Sequence, residues 1–183
     1  MRNICSLLII LATLSITAQA GNRKEQRDGE RMARYITAVQ ALKAKNFGFM
    51  ASSYKNRPAS PVEMSIDEYT YMGFDGEILI LQGRVFSGND FRNRCSVKNY
   101  EVNVDEDGNL EVKFDFKGRV TAGKVLIKMK AGNNYAVASI SRGERAFYYD
   151  KASNKYTKVS ETIVSGKILQ SDRCDYKVIA SEL

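Results

Sequence analysis

The stretch that decides the fold is residues 98–116, KNYEVNVDEDGNLEVKFDF. Apolar and polar residues alternate on both sides of residues 105–109, an acidic segment that contains Gly108. Alternation with a period of two is typical of a half-buried β-strand, and a five-residue connection with a glycine suits a hairpin. The stretch therefore predicts an antiparallel hairpin. Its apolar groups share one face in a single register, with these pairs: Val104 with Leu110, Val102 with Val112, and Tyr100 with Phe114.

Two further hairpins are predicted after this one. The first has a turn at residues 130–134, and the second joins residues 146–149 to residues 156–159 through residues 150–155. In the first we expect two sets of apolar residues to face each other: Val125, Ile127 and Met129 on one strand, and Tyr135 and Val137 on the other.

The segments before residue 98 also have a period of two. Strands are predicted at residues 47–49 and 77–86, with a turn at residues 74–76. Residues 52–61 include Pro58 and Pro61 and are predicted to be a loop, because proline cannot donate to a strand ladder. Consecutive strands that pair in this way form an antiparallel meander.

Residues 23–45 have a helical period instead, and Gly29 weakens the first turns, so the ordered helix is expected from about residue 30. One face is apolar and the opposite face is basic; the apolar residues are Met32, Tyr35, Ile36, Val39 and Leu42, and the basic ones are Arg27, Arg31, Arg34 and Lys45. Such a helix either packs its apolar face on a sheet or lies on an anionic membrane. We expect the first.

Together these elements predict an α+β domain. An N-terminal amphipathic helix at about residues 30–45 packs on a curved, mostly antiparallel meander sheet of about seven to nine strands at residues 47–160, which can curl into a partly closed barrel. Residues 161–183 are predicted to be an extension with short strands at 163–164 and 168–169.

Residues 1–20, MRNICSLLIILATLSITAQA, have the pattern of a secretory signal. Arg2 precedes an apolar run at residues 7–16, and Ala18 and Ala20 form an Ala-x-Ala cleavage site. We therefore expect cleavage near Ala20, a single domain at residues 21–183, and a periplasmic or extracellular location. The apolar run is too short to span a membrane, and no transmembrane segment is expected in the mature chain.

The chain has no histidine. Ser-His-Asp triads, Cys-His pairs and histidine-containing zinc sites all need an imidazole, so each is excluded. No cofactor is expected. The net charge is +7, but acids are interspersed with the basic residues along the chain, and no nucleic-acid partner is expected.

Cys95 and Cys174 both lie after the predicted cleavage site. An even number of cysteines in an exported protein favours a disulfide. The alternative is two separate buried thiols.

Four acids near predicted turns are candidates for carboxylate catalysis: Asp67, Glu68, Asp75 and Glu77. Five tyrosines could line a carbohydrate or lipid site or form cross-strand pairs: Tyr69, Tyr71, Tyr148, Tyr149 and Tyr156. The turn residues Asp105, Asp107 and Asn109 have the spacing of calcium ligands. However, Leu110 and Phe116 stand where an EF-hand needs glycine and glutamate, which favours the hairpin over a weak calcium site.

Several strand patterns resemble an exported Bacteroidota family known as domain of unknown function 4251. They are NYEV at residues 99–102, GNLEVKF at 108–114, an Ala/Val strand at 135–140, and Arg142 or Arg145 shortly before Phe147 and Tyr148. The predicted helix followed by residues 47–51, FGFMA, resembles the start of the family. The resemblance covers about residues 35–160. It implies export and a domain with a helix and an antiparallel sheet, and it implies no activity.

These observations favour an exported noncatalytic binding or interaction protein of the bacterial envelope. Its partner would be a small apolar or amphipathic ligand held between helix and sheet, or an envelope protein. Two alternatives stay open: a carboxylate-based glycan hydrolase, and a structural or inhibitory module that pairs through a strand edge.

Overall fold

The described part of the polypeptide forms one long helix, eleven strands and two short helical turns. The structure is a computed structural model that describes the backbone of residues 2–57, 64–142, 147–150, 155–158 and 161–181, and the side chains of residues 23–56, 66–142 and 161–181. The elements are α1 (Arg2–Lys43), β1 (Phe47–Arg57), β2 (Met64–Ser65), β3 (Tyr71–Asp75), β4 (Ile78–Gln82), α2 (Arg84–Ser87), β5 (Arg92–Val104), β6 (Leu110–Lys117), β7 (Ala122–Met129), β8 (Tyr135–Arg142), β9 (Phe147–Asp150), β10 (Lys155–Lys158), β11 (Glu161–Gln170) and a 3₁₀ turn (Ser171–Arg173).

A closed antiparallel barrel is the centre of the fold. The strand order is β11-β8-β7-β6-β5-β4-β3-β1-β2, and β11 also pairs with β1 from Phe47 opposite Gln170 to Arg57 opposite Glu161. All strands of this sheet except β2 therefore form a ring of eight. The antiparallel meander and the α+β class are confirmed. The barrel is closed rather than partly closed.

The closing strand β11 comes from the segment that was predicted to be an extension. Residues 161–170 form one continuous strand instead of two short ones, and β1 continues to Arg57 through part of the predicted loop at 52–61. Gly166 interrupts the apolar pattern of β11, because a Cβ there would lie 2.6 Å from the Phe49 ring. The glycine that makes room for this ring also weakens the strand signal in the sequence.

The hairpin at residues 98–116 is confirmed near its turn, where Val104 pairs with Leu110 and Val102 with Val112. Further along, the register shifts between Lys98 and Glu101, where Asn99 has a φ of 53°. This β-bulge reverses the alternation of β5. As a result Cys95 faces the barrel interior beyond the bulge, with a side chain that is 1% exposed.

The predicted register of the hairpin with the turn at 130–134 is wrong by one residue. Met129 pairs with Ala136 and Ile127 with Ala138, so the exposed residues Tyr135 and Val137 lie on the outer face. Both faces of β8 carry apolar residues, and alternation alone cannot choose between them. Next to the turn, the large side chains of Ile127 and Met129 on β7 fill the interior, which leaves room there for the small side chains of Ala136 and Ala138 on β8.

The hairpin of β9 and β10 is confirmed, with Tyr149 opposite Tyr156, and it forms a separate two-stranded sheet. The turn at residues 74–76 is also confirmed, and Gly76 has a φ of 59° there. The strand predicted at 77–86 is too long. Gly83, with a φ of 81°, ends β4, and α2 follows with Val85 and Phe86 buried at this end of the barrel.

Helix α1 is longer than the predicted helix and continues through the predicted cleavage site. Its last turns bury Ala38, Ala41 and Leu42, whereas Met32 and Ile36 are about half exposed. Two hydroxyls join this end of α1 to the barrel: Tyr35 Oη donates to Gly108 O, and Tyr100 Oη donates to Leu42 O, each at 2.5 Å. The buried stripe is therefore narrower than predicted and consists mainly of small residues, since the helix meets the barrel only near its C-terminus.

Side chains fill the barrel interior. An eight-stranded barrel is just wide enough for its inward side chains to pack together. One continuous core cluster does this with residues from every strand of the ring, among them Phe47, Phe49, Met72, Leu81, Cys95, Phe114, Ile127, Ala138 and Ile168. We expected a ligand between helix and sheet, but the core occupies that space.

The segment 171–181, which we call the tail strap, covers the outer face of β3 and β4. The Tyr176 ring stacks on the Tyr71 ring with centroids 3.7 Å apart. The Gln82 side chain is fully buried beneath the strap; it donates to Tyr69 O and Lys177 O and accepts from Ile179 N, at 2.6–2.9 Å. The barrel therefore has a second packed layer on this side.

The bulge can be tested with Asn99→Val. A β-branched residue tolerates positive φ poorly, so we expect the free energy of unfolding to fall by about 1–2 kcal/mol in urea titrations. Asn99→Gly should change it much less. Asn103→Val, at a regular exposed position of the same strand, is the matched control and should be neutral or slightly stabilising. Equal losses for both valine variants would contradict the bulge.

The strap can be tested with Gln82→Met, which keeps the length of the side chain and removes its hydrogen bonds. The carbonyls of Tyr69 and Lys177 and the amide of Ile179 would lose their hydrogen-bond partner beneath the strap, so we expect a loss of about 2–3 kcal/mol. Hydrogen exchange should show faster exchange at Ile179 and unchanged protection in β6 and β7. Unchanged exchange at Ile179 would show that the strap is not held by Gln82.

Candidate functional site

The outer face of β5–β8 carries an open cavity of about 430 Å³, which we call the outer trough. Antiparallel pairing aligns its side chains in two rows. One row contains Lys113, Leu126 and Ser139, and the next row contains Asp115, Lys124 and Ser141. The remaining lining residues are Asn99, Glu101, Phe114, Val125 and Glu161.

Leu126 forms the apolar part of the outer trough. Phe114 and Val125 also line the cavity, but both belong to the buried core, whereas the Leu126 side chain is partly exposed on the outer face. The hydroxyls of Ser139 and Ser141 make no hydrogen bond within the described part of the chain. The trough thus offers a ligand one aliphatic contact and two hydroxyls, with charged groups around them.

Ion pairs hold the charged groups in place. Glu111 lies 2.5 Å from Lys113 Nζ and 3.2 Å from Lys128 Nζ, and hydrogen bonds from these lysines lower the pKa of Glu111. Asp115 accepts a hydrogen bond from Asn99 Nδ2 at 2.6 Å and lies 3.8 Å from Lys124 Nζ. The Glu111 carboxylate is thereby stabilised in its ionised form, and such a group suits ion pairing better than proton donation.

The four acids proposed for catalysis do not come together. Asp67 accepts hydrogen bonds from Tyr69 N and Thr70 Oγ1. The other three form exposed ion pairs: Glu68 with Lys177, Asp75 with Arg94, and Glu77 with Lys45. Each of the four acids is engaged by a structural partner of its own, so this set gives the hydrolase alternative no support.

Of the five candidate tyrosines, the two with described side chains have different surroundings. Tyr71 is buried against Tyr176, and Tyr69 is 40% exposed with Lys177 Nζ 6.0 Å from its ring centroid. The side chains of Tyr148, Tyr149 and Tyr156 lie outside the described residues.

Cys95 and Cys174 are free thiols, and the predicted disulfide is not formed in the structure. Cys95 belongs to the interior core, whereas Cys174 Sγ packs outside β1, 2.2 Å from where a Cβ on Gly48 would lie. The barrel wall separates the two sulfurs because the bulge at Asn99 turns Cys95 inward. Burial raises the pKa of each thiol to about 11.

The acidic turn at residues 105–109 has a structural role. The Asp105 carboxylate accepts hydrogen bonds from Asn109 N and Asn109 Nδ2 at 2.7 and 3.0 Å, which fixes the hairpin loop. Among the described residues, no group of three or more acids or cysteines is placed to hold a metal ion. The same residues contain no helix of the length and apolarity that a membrane span requires.

The outer trough was not found by sequence reasoning, which followed the inward residues of each strand. The signal available was weak: on β8 the outward positions change from Tyr135 and Val137 to Ser139 and Ser141. A polar end on an otherwise apolar outer face is compatible with a site, but also with ordinary solvation.

Neither the family models nor the curated proteins include a match to this chain. Among solved structures, the chain is similar to a DUF4251 family protein from Bacteroides eggerthii, with a TM-score of 0.62 and 16% sequence identity, over 80% of this chain and 94% of that one. At this identity the likeness is one of fold. It confirms, at the level of the fold, the resemblance to that family seen in the sequence.

Alkylation tests the state of the thiols. After denaturation without reductant, peptide mapping should find Cys95 and Cys174 both alkylated. In the folded protein Cys174 should react first, because it is only partly buried. Labelling should be slow at pH 8 and accelerate as the pH approaches 11, since only the thiolate reacts. A peptide pair joined through Cys95 and Cys174 would overturn this assignment.

Proposed function

We propose that the chain is an exported, noncatalytic binding protein of the bacterial envelope that holds a small amphipathic ligand in the outer trough. The observation that carries this proposal is the contrast between the two faces of the barrel wall. The core fills the inner face, while the outer face of β5–β8 has an open cavity of about 430 Å³.

The lining of the trough indicates the class of ligand. Leu126 offers contact to an aliphatic group, and the hydroxyls of Ser139 and Ser141 can donate to or accept from polar groups beside it. The lining also carries five charged groups, the lysines Lys113 and Lys124 and the acids Glu101, Asp115 and Glu161. A small molecule with one apolar face and several hydroxyl or charged groups fits this lining best.

The chemistry of the chain supports a noncatalytic role. Histidine, the usual general base, does not occur in the sequence. Three acids line the trough: Glu101, Asp115 and Glu161. The Asp115 carboxylate is held by Asn99, and Glu101 lies opposite Lys113 in the sheet. Export rests on the leader pattern of residues 1–20, and N-terminal sequencing of the isolated protein should begin at Gly21 if cleavage occurs after Ala20.

The binding proposal is tested by native mass spectrometry of protein isolated without detergent from its host. We expect a small-molecule adduct on the wild-type chain. In Leu126→Lys, a charged side chain replaces the aliphatic contact, and the affinity should fall at least tenfold, which corresponds to about 1.4 kcal/mol of binding free energy and lowers the fraction of chains that carry the adduct.

The matched control is Val137→Lys. Val137 is a 43% exposed aliphatic residue on the outer face of β8 and does not line the trough. This variant should keep the adduct. An adduct that survives in Leu126→Lys, or its loss from both variants alike, would contradict the trough as the site. A wild-type chain that carries no adduct would contradict the ligand-binding proposal itself.

A further inference from the structure

Helix α1 changes character where it passes beyond the barrel. One stripe of α1 packs against the end of the barrel, and it contains Tyr35, Ala38 and Leu42 at helical spacing. One turn earlier, the same stripe continues with Arg31, and Arg34 occupies the position one turn before Ala38. The side of the helix that faces the barrel is thus apolar at its end and doubly cationic just before it.

The two arginines face a second cavity of about 320 Å³, which we call the arginine notch. It lies between α1 and the turn from β7 to β8, and its other lining residues are Asn133, Asn134 and Tyr135. The notch shares no residue with the outer trough.

The arginines are held only loosely by acids of their own helix. Arg31 Nη1 lies 3.9 Å from Asp28 Oδ1, and Arg34 Nη2 lies 3.6 Å from Glu30 Oε2, both beyond hydrogen-bond distance. All four side chains are more than half exposed, and such pairs contribute little to stability. Arg34 Nε also donates to Glu30 O at 3.2 Å, which orients its guanidinium.

A third cation stands beside the notch. Lys167 Nζ lies 5.1 Å from the centroid of the Tyr135 ring, which is 59% exposed. Asn134 is buried and fixed by the hydrogen bond from its Nδ2 to Ile168 O at 2.9 Å, so the floor of the notch is rigid. Three cations thus lie at a cavity whose lining contains no acid.

We propose that the arginine notch binds the phosphate group of a phosphorylated ligand. One arginine can satisfy a carboxylate through two parallel hydrogen bonds, whereas a tetrahedral phosphate has oxygens for two guanidinium groups that approach from different directions. The cavity has the volume of about ten water molecules, which is larger than a bare phosphate needs. A phosphate ester, with its organic part against the Tyr135 ring, therefore fits better than the free ion.

A phosphate ester can be soluble or belong to a lipid headgroup, and two binding assays separate these sources. The first is calorimetric titration of the whole isolated protein with glycerol phosphate, with inorganic phosphate for comparison. The second is flotation of the protein with phosphatidylcholine vesicles that contain phosphatidylglycerol. Binding in either assay supports the notch when Arg31→Gln/Arg34→Gln weakens it at least tenfold and the control variant retains it.

The control variant is Lys24→Gln/Arg27→Gln, which removes the same charge from exposed positions of α1 outside the notch. All four residues are exposed, so unchanged thermal unfolding will show that both variants fold. Equal weakening in the two variants would mean that only the overall charge of the helix acts, and the proposal would fail. Failure to bind in both assays would also overturn it, without affecting the outer trough.

Discussion

The pairing of β1 with β11 is the contact on which the rest of the structure depends. It joins two segments from opposite ends of the domain over ten residue pairs and turns a curved sheet into a closed ring. Closure removes the free edges of the outer strands, through which an open sheet could pair with another protein. It also fixes the diameter of the barrel at a size that its own side chains fill. A site for another molecule must then lie outside the wall.

Small residues allow layers to pack on both sides of the wall. Inside, Gly166 admits the Phe49 ring. Outside, Gly48 and Gly73 leave space for Cys174 Sγ and the Tyr71 hydroxyl beneath the tail strap. The strap covers the outer face of β3 and β4, whereas the outer trough lies on the outer face of β5–β8. The packed layer and the proposed binding site therefore occupy different parts of the outside of the barrel.

How far the sequence predicts this fold depends on how much each strand differs between its two faces. The turns at Gly76 and Gly108 and the pairs next to the Gly108 turn follow from local chemistry and are confirmed. The bulge at Asn99 was not predicted, although the apolar alternation changes phase between Val97 and Tyr100, because a change of phase alone does not show whether the strand bulges or ends there. The β8 register fails because Tyr135 and Val137 are larger than the alanines that face inward. Closure by β11 depends on contacts distant in sequence and on Gly166, so local patterns could not indicate it.

The trough and the notch require neighbours across strands or between helix and turn, and they appear only once the registers are known.

Hydrogen exchange of the backbone amides in β1 and β11 is the most direct test of closure. In a closed barrel, amides that bond across the β1–β11 seam should be protected to the same degree as those between β6 and β7, because all open only when the barrel unfolds. In a partly closed barrel the seam would be an edge, and alternate amides of Phe47–Arg57 and Glu161–Gln170 would exchange as fast as those of an exposed loop. Protection at the seam equal to that between β6 and β7 is the result that the closed barrel predicts. Rapid exchange confined to the seam would contradict it and would reopen the interior as a place for a ligand.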